Sequence, residues 1–238
     1  PAVLVDGREV AVKVLRPGIE LRVAKDAEVM RLAARIAERL APPLRRLEPR
    51  AAVETVVESL RLELDLRMEA GGASELREVM ARDGFMTAPA VVWDGVGKRV
   101  LTLEWVQGMA LSDPAALEQD GLNRPELATR LTRAFLAQAL DHGVFHADLH
   151  EGNLFVGAPA ELTAVDFGII GRLGPGERRY LAEILFGFIT RDYERISRVH
   201  FEAGYVPTHH SPAAFAEALR AVGEPLFGRT AEAVSMGR

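Results

Sequence analysis

The sequence predicts an α+β fold in two lobes. Three observations predict it. β-branched runs closed by turn residues occupy both ends of the first hundred residues, long helical periodicities separate them, and beyond residue 174 the pattern is helical only. Strands with inserted helices followed by mostly helix put the junction near residues 104–108. Residues 1–103 then form an N-lobe and 104–238 a C-lobe of a single domain. The 238 residues suffice for a substantial core.

Each element has its own signal. Ala2 to Val5 and Glu9 to Leu15 are β-branched runs joined by Asp6-Gly7, a hairpin pattern, and Pro17-Gly18 ends the unit. Val23, Ala27, Met30, Ala34, Ala37 and Leu40 recur at helical spacing over 22–40, and Pro42-Pro43 stops that run. A longer helix is expected from Ala51 to Ala70, interrupted by Gly71-Gly72 and resuming to Ala81. A second hairpin follows, with Ala90 to Trp93 and Arg99 to Glu104 joined through Asp94-Gly95-Val96-Gly97. Leu127, Leu131, Phe135 and Ala139 make 125–142 an amphipathic helix, with Gly143 as its C-terminal cap. After a polar loop comes a short strand, Leu162 to Val165, and then helices over 176–190, 192–203 and 212–222.

Composition narrows the function classes. With 29 basic against 34 acidic residues the net charge is −5, which excludes a nucleic-acid binder that works by neutralising the phosphate backbone. There are no cysteines, so no disulfide or thiolate metal site forms. The most apolar stretch, Tyr180 to Thr190, is short and contains Glu183, so no transmembrane segment is expected in this piece of chain. It carries no signal-peptide pattern and begins at Pro1, and it reads as a fragment of a longer, cytoplasmic protein.

The chemistry concentrates in one stretch. His146-Ala147-Asp148-Leu149-His150-Glu151-Gly152-Asn153 is followed, thirteen residues after Asn153, by Asp166-Phe167-Gly168. A loop Asp, an Asn five residues on and a second Asp opening an Asp-Phe-Gly are how a kinase-type site assembles phosphoryl transfer. The first carboxylate orients a hydroxyl or water, while the Asn and the second Asp hold Mg²⁺ against the nucleotide's β- and γ-phosphates. Phosphate charge must be neutralised as the terminal phosphoryl departs, and hard oxygen ligands suit Mg²⁺. Asp148 is therefore the candidate catalytic residue, Asn153 and Asp166 the candidate metal ligands, and ATP with Mg²⁺ the expected cofactors. His146 and His150 flank Asp148 and could suggest zinc, which would have no use for the Asn; His146 is expected to pack beneath the loop and order its backbone. The pair His209-His210 is assigned no role.

The upstream half supplies a partner set. In Ala11-Val12-Lys13-Val14 one Lys sits on a strand whose neighbours Val12 and Val14 are expected to point the other way, into a core. Such a Lys can reach the α- and β-phosphates. The acidic run Glu63-Leu64-Asp65-Leu66-Arg67-Met68-Glu69 offers it a carboxylate. Ordinary (i, i+4) pairs, Arg61–Asp65 and Glu63–Arg67, would account for two of the acids and leave Glu69 as the candidate partner of Lys13.

Together these residues resemble the UbiB-like atypical kinases. The resemblance is carried by Lys13 within Val10 to Gly18, the Glu63–Asp65 helix running on to Glu69-Ala70, Thr102 to Val106, His146 to Asn153 and Asp166 to Gly168. It runs from Val3 to about residue 220. It implies a two-lobed protein-kinase-like fold with a helical insert in the N-lobe between Lys13 and Glu69. It implies a Lys13–Glu69 ion pair in the catalytic machinery, nucleotide-site roles for Glu63 and Asp65, and an adenine-facing hinge at Glu104, Trp105 and Val106. The metabolic setting it implies is ubiquinone or related isoprenoid-lipid metabolism, with lipid or phenolic intermediates and lipid-biosynthesis proteins as partners and membrane association of the full-length protein. The chain departs from the family at Leu149 and Glu151, where Pro is typical. The family's Ala-rich nucleotide loop, its helix with the KxGQ motif and its C-terminal hydrophobic segments are absent from these residues, so an open site with weak ATP affinity is expected.

Three residue facts bear on the acceptor. Ala147 replaces the Arg that would read a phosphorylated activation loop, His150 stands two after Asp148 where protein kinases carry a Lys, and about eight residues separate Gly168 from the next helix. A peptide-docking segment has no room, which favours a small-molecule phosphotransferase or an ATPase. The alternatives at this point are an aminoglycoside- or choline-kinase type of enzyme and a non-catalytic nucleotide-binding regulatory module.

Overall fold

The computed structural model describes residues 1–40 and 48–227, which contain eight short strands and seven α-helices. The Pro42-Pro43 stop lies outside the described residues. By contacts the chain forms two compact units, residues 1–135 with 146–170 and residues 136–145 with 171–238.

In the first unit, β1 (Ala2–Val3), β2 (Glu9–Val14) and β3 (Val100–Glu104) make an antiparallel sheet in the order β1-β2-β3. The turn between β1 and β2 closes at Gly7, whose N–H donates to Leu4 O while its φ of 88° suits glycine. Register pairs Val10 with Glu104 and Lys13 with Leu101. Side chains alternate across a strand, so Ala11 and Lys13 share one face and Val10, Val12 and Val14 the other. Leu101 is fully buried and Leu103 nearly so. The valine face differs from expectation: Val10 is buried, but Val12 is 40% and Val14 60% exposed. No described element covers that end of β2, so the face is only partly a core.

The helices differ from the sequence pattern in where they break. α1 (Ile19–Leu40) begins one turn early, and α2 (Pro49–Glu63) packs on it, with an Arg31–Glu54 ion pair at 2.7 Å between them. The interruption falls at Leu64-Asp65 and not at Gly71-Gly72. Asp65 is the N-cap of α3 (Leu66–Asp83), accepting from Arg67 N–H at 3.2 Å, and Gly84 ends that helix with a φ of 69°. A capping Asp followed by apolar Leu66 starts a new helix more strongly than two glycines stop one, at about 1 kcal/mol each. Gly72 is buried in α3, where a Cβ would run into Ile170 Cδ1, while nothing surrounds the corresponding point on Gly71.

The expected strand Ala90–Trp93 shrinks to an isolated bridge, Val91 to Leu103, and a single 3₁₀ turn, Trp93–Gly95. Thr102, buried, bonds Gly95 O at 2.9 Å and ties that turn to β3. Next come β4 (Met109–Ala110) and α4 (Arg124–Leu136), then a π-helical segment, Ala137–His142, closed by Gly143 with φ 71°. The strands β5 (Val144–His146) and β8 (Ile170–Arg172) pair with each other. A second sheet, order β4-β6-β7, uses β6 (Leu154–Gly157) and β7 (Glu161–Ala164). β4, β5 and β8, of two or three residues each, carry too few residues for period-2 reading. The second unit is helical, with α5 (Pro175–Thr190), α6 (Tyr193–Glu202) and α7 (Pro212–Gly223). Its core is Tyr193, Ile196 and Ala216 packed by Ile184, Phe188 and Leu219. Among the described residues no helix is long and apolar enough to cross a membrane.

Candidate functional site

The first unit brings together five of the residues singled out by sequence. Lys13 enters from β2, Glu69 from the first turn of α3, Asp166 from the segment after β7, and Asp148 and Asn153 from the loop after β5. Lys13 Nζ donates to Glu69 Oε1 at 2.8 Å and Oε2 at 3.0 Å, and to Asp166 Oδ1 at 3.2 Å. Glu69 is only 8% exposed, whereas the side chains of Lys13, Asp148 and Asp166 are about half exposed. One lysine thus joins a carboxylate sealed in the core to one open to ligand. Burial pushes the Glu69 carboxyl above its ordinary value, against the pull of Lys13. On Lys13 burial works downward, but Glu69 and Asp166 outweigh it and hold the ammonium above its usual range.

The loop is held from beneath. His146 is 1% exposed; its Nε2 donates to Val165 O at 3.1 Å and its Nδ1 accepts the Asp148 N–H at 3.2 Å. A ring that donates at one nitrogen and accepts at the other is a neutral imidazole with a fixed tautomer. It ties the strand before Asp166 to the backbone of Asp148, as expected of a residue packed under the loop. It also packs on Phe167, with ring centroids 5.3 Å apart, and Phe167 is itself buried. Asp166 takes a left-handed backbone, φ 61°, tolerated by Asp more than by most residues. That turn sends Phe167 into the core while the Asp166 carboxylate meets Lys13.

Asn153 is buried, and its amide nitrogen donates to Asp148 O at 3.0 Å and, longer, to Asp148 Oδ2 at 3.4 Å. With the nitrogen committed, the side-chain oxygen is the atom that could serve a ligand. An amide oxygen and a half-exposed carboxylate are a donor set for a hard divalent cation.

Other expected residues lie apart. Glu63 ends α2 on the surface. Asp65 is a helix cap clasped by Arg67, with Nη2–Oδ2 2.6 Å and Nε–Oδ1 2.8 Å, and that guanidinium draws its pKa down to about 2. The (i, i+4) pairs expected here do not form. Asp65 takes Arg67, Arg61 reaches Glu58 at 3.5 Å, and the helix break removes the geometry the spacing assumed. Glu104 and Trp105 line a cleft of about 380 Å³ with Arg8, Glu9, Val10 and Val91 at the start of β2, and Lys13 is not among its lining residues. Their amides are engaged, Glu104 N–H with Ala90 O and Trp105 N–H with Glu9 O; Val106 is half-buried beside them. Gly72 resembles a helix breaker in the sequence, yet its close approach to Ile170 just after Asp166-Phe167-Gly168 packs α3, and Glu69 with it, against that segment. A second small residue inside an otherwise strong helix was the available signal.

Comparison with known proteins identifies the family and the fold. The ABC1 atypical kinase-like domain family matches residues 1–200. A probable protein kinase UbiB from Marinobacter nauticus is 38% identical over 99% of this chain and 44% of its own length, and one from Xylella fastidiosa is 37% identical over the same shares. The chain spans less than half the length of the curated relatives it matches. Among solved structures, Rv3197 from Mycobacterium tuberculosis, in complex with erythromycin, superposes with a TM-score of 0.68 at 24% identity, covering 94% of this chain and 56% of that one. That likeness shows the fold, which is protein-kinase-like.

Proposed function

Since this chain belongs to the ABC1 atypical kinase-like family, we propose that it is the core of an ATP- and Mg²⁺-dependent atypical kinase or ATPase. The observation that carries the reading is the convergence of Lys13, Glu69 and Asp166 in one ion-paired cluster, in the same unit as the Asp148–Asn153 loop. Glu69 fixes Lys13, and Lys13 gives phosphate oxygens a cation beside Asp166. Asn153 and Asp166 would hold Mg²⁺, which when bound supplies neutralisation of phosphate charge. Asp148, half exposed and anchored through its backbone, receives the proton of the attacking hydroxyl or water. The segment 104–106 offers adenine its carbonyls and Val106, because the Glu104 and Trp105 amides are already engaged. We place the lobe boundary at 103/104. The whole protein would act in ubiquinone or related isoprenoid-lipid metabolism, on or beside lipid or phenolic intermediates, as the resemblance to the UbiB-like kinases implies.

Turnover is tested by phosphate release from MgATP, with and without detergent or phenolic lipid mimics. Release by the wild-type chain that is lost in Asp148→Asn supports the reading. Equal release by both forms overturns the role of Asp148, and nucleotide binding with no release turns the protein into a nucleotide-responsive regulatory module.

A further inference from the structure

The cleft beside Glu104 and Trp105 has a chemistry of its own. At about 380 Å³ it falls within the size range of small-ligand pockets, and none of Lys13, Asp148, Asn153 and Asp166 lines it. Its apolar wall is Val10, buried, with Val91, half-buried, and the Trp105 side chain, 40% exposed. Two exposed acids, Glu9 and Glu104, share it with a single cation, Arg8. Arg8 is already clasped by Asp6, with Nε–Oδ2 and Nη2–Oδ2 both 2.8 Å, so its charge is spent locally. Glu104 is held in place: its N–H donates to Ala90 O at 2.9 Å, and its Oε2 accepts the Ala90 N–H at 3.3 Å. Its Oε1 is left for a ligand. An indole beside two carboxylates suits an organic cation, which is attracted by both the ring face and the acids while its body covers the apolar wall.

We propose that this cleft binds a small aromatic ammonium compound, and that filling it tightens nucleotide binding. The ammonium donates to Glu104 Oε1 and is drawn by Glu9, while the aromatic body lies against Trp105, Val10 and Val91. The Trp105 N–H donates to Glu9 O at 3.2 Å, so the residues that wall the cleft also hold the backbone of 104–105. A cation drawn between the Glu9 and Glu104 carboxylates braces that backbone before adenine meets it. Linkage makes the effect reciprocal: nucleotide tightens the cation by the same factor. This coupling, unlike the cation site itself, rests on the ATP reading given above.

The indole N–H signals report on the cleft directly, because the chain has two tryptophans and Trp93 does not line it. NMR titrations of the nitrogen-labelled 238-residue chain would compare tryptamine with tryptophol, its neutral hydroxyl analogue, in wild type, Glu104→Gln and Glu9→Gln. Trp93→Phe assigns the two signals, and Gln at 104 keeps an oxygen for the Ala90 N–H. The expected result is a saturable shift of the Trp105 signal with tryptamine. Tryptophol should bind about tenfold more weakly, and so should tryptamine to Glu104→Gln, with a smaller loss in Glu9→Gln. MgADP, its own binding followed by calorimetry, should tighten tryptamine about fivefold. Equal binding of tryptophol and tryptamine, equal binding of tryptamine by wild type and Glu104→Gln, equal movement of both indole signals, or no saturable shift overturns the site. MgADP that binds without changing the tryptamine affinity overturns the coupling. A wild-type chain that binds no MgADP removes the ATP reading and the coupling with it, while the tryptamine titration decides the cation site by itself.

Discussion

Asp65 and Glu69 lie four residues apart in one acid-rich stretch, and the structure treats them oppositely. Asp65 stands at the N-terminus of α3, clasped by Arg67 on the surface, with its pKa drawn down to about 2. Glu69, one turn on, is buried, with its pKa pushed up by burial and with Lys13 as its partner across 56 residues of chain. The same chemical group is a structural cap in one place and half of an ion pair at the candidate site in the other. Helix position, burial and the partner's origin decide which. A local arginine makes a cap, and a lysine from a distant strand couples the helix to the strand that carries it.

The sharpest way to break this contrast is to neutralise each acid. Glu69→Gln should weaken MgATP binding about tenfold or more, since Lys13 loses the charge that positions it, while Asp65→Asn should leave that affinity nearly untouched. Titration of both variants checks it, and equal losses would mean that Asp65 belongs to the site after all.

A smaller effect separates the neighbouring glycines of the same helix. Gly72→Ala should destabilise by about 1 kcal/mol, the low end for overpacking, because the obstructing atom is the tip of Ile170. Gly71→Ala should stabilise by about 0.5–1 kcal/mol, as Ala does at an open helical position. Urea midpoints measure both; matching signs would contradict the packing described for α3.

The smallest effect is the pH dependence of the cap. Asp65 has a folded-state pKa below its unfolded value, so its contribution is present above about pH 3.8 and is lost as pH falls toward 2. The stability gap between wild type and Asp65→Asn should therefore be visible at pH 6 and close near pH 2. A gap of constant size would show that the cap acts without its charge.

Much of the fold was legible because its helices follow apolar periodicity. α5, α6 and α7 begin and end within about two residues of their expected limits. Gly143 caps its helix through a positive φ, as its place after the periodic run implied. The break in the acid-rich segment falls at Asp65 and not at Gly71-Gly72, because a capping side chain decides where a helix begins. Val12 and Val14 look like core in the sequence, yet what covers a strand face depends on elements far away in the chain. At the candidate site, the loop residues could be named from local spacing. Glu69 could be singled out only by elimination, since nothing local distinguishes a carboxylate waiting for a lysine 56 residues away. Residues 104–106 are an expected hinge only through the family resemblance, and nothing in the sequence foretells that two of their amides are engaged in the sheet.

Asp166, paired with Lys13 and one residue beyond Val165, whose N–H donates to Asn153 O at 2.9 Å, is proposed to belong to a metal–nucleotide site. Thermal melting with and without MgATP tests it most directly, in wild type and Asp166→Asn. With nucleotide at a hundredfold excess over Kd, wild type should gain about 2.7 kcal/mol of stability and melt at a higher temperature, while Asp166→Asn should not respond. If the two proteins melt alike both with and without MgATP, the account of this site is wrong.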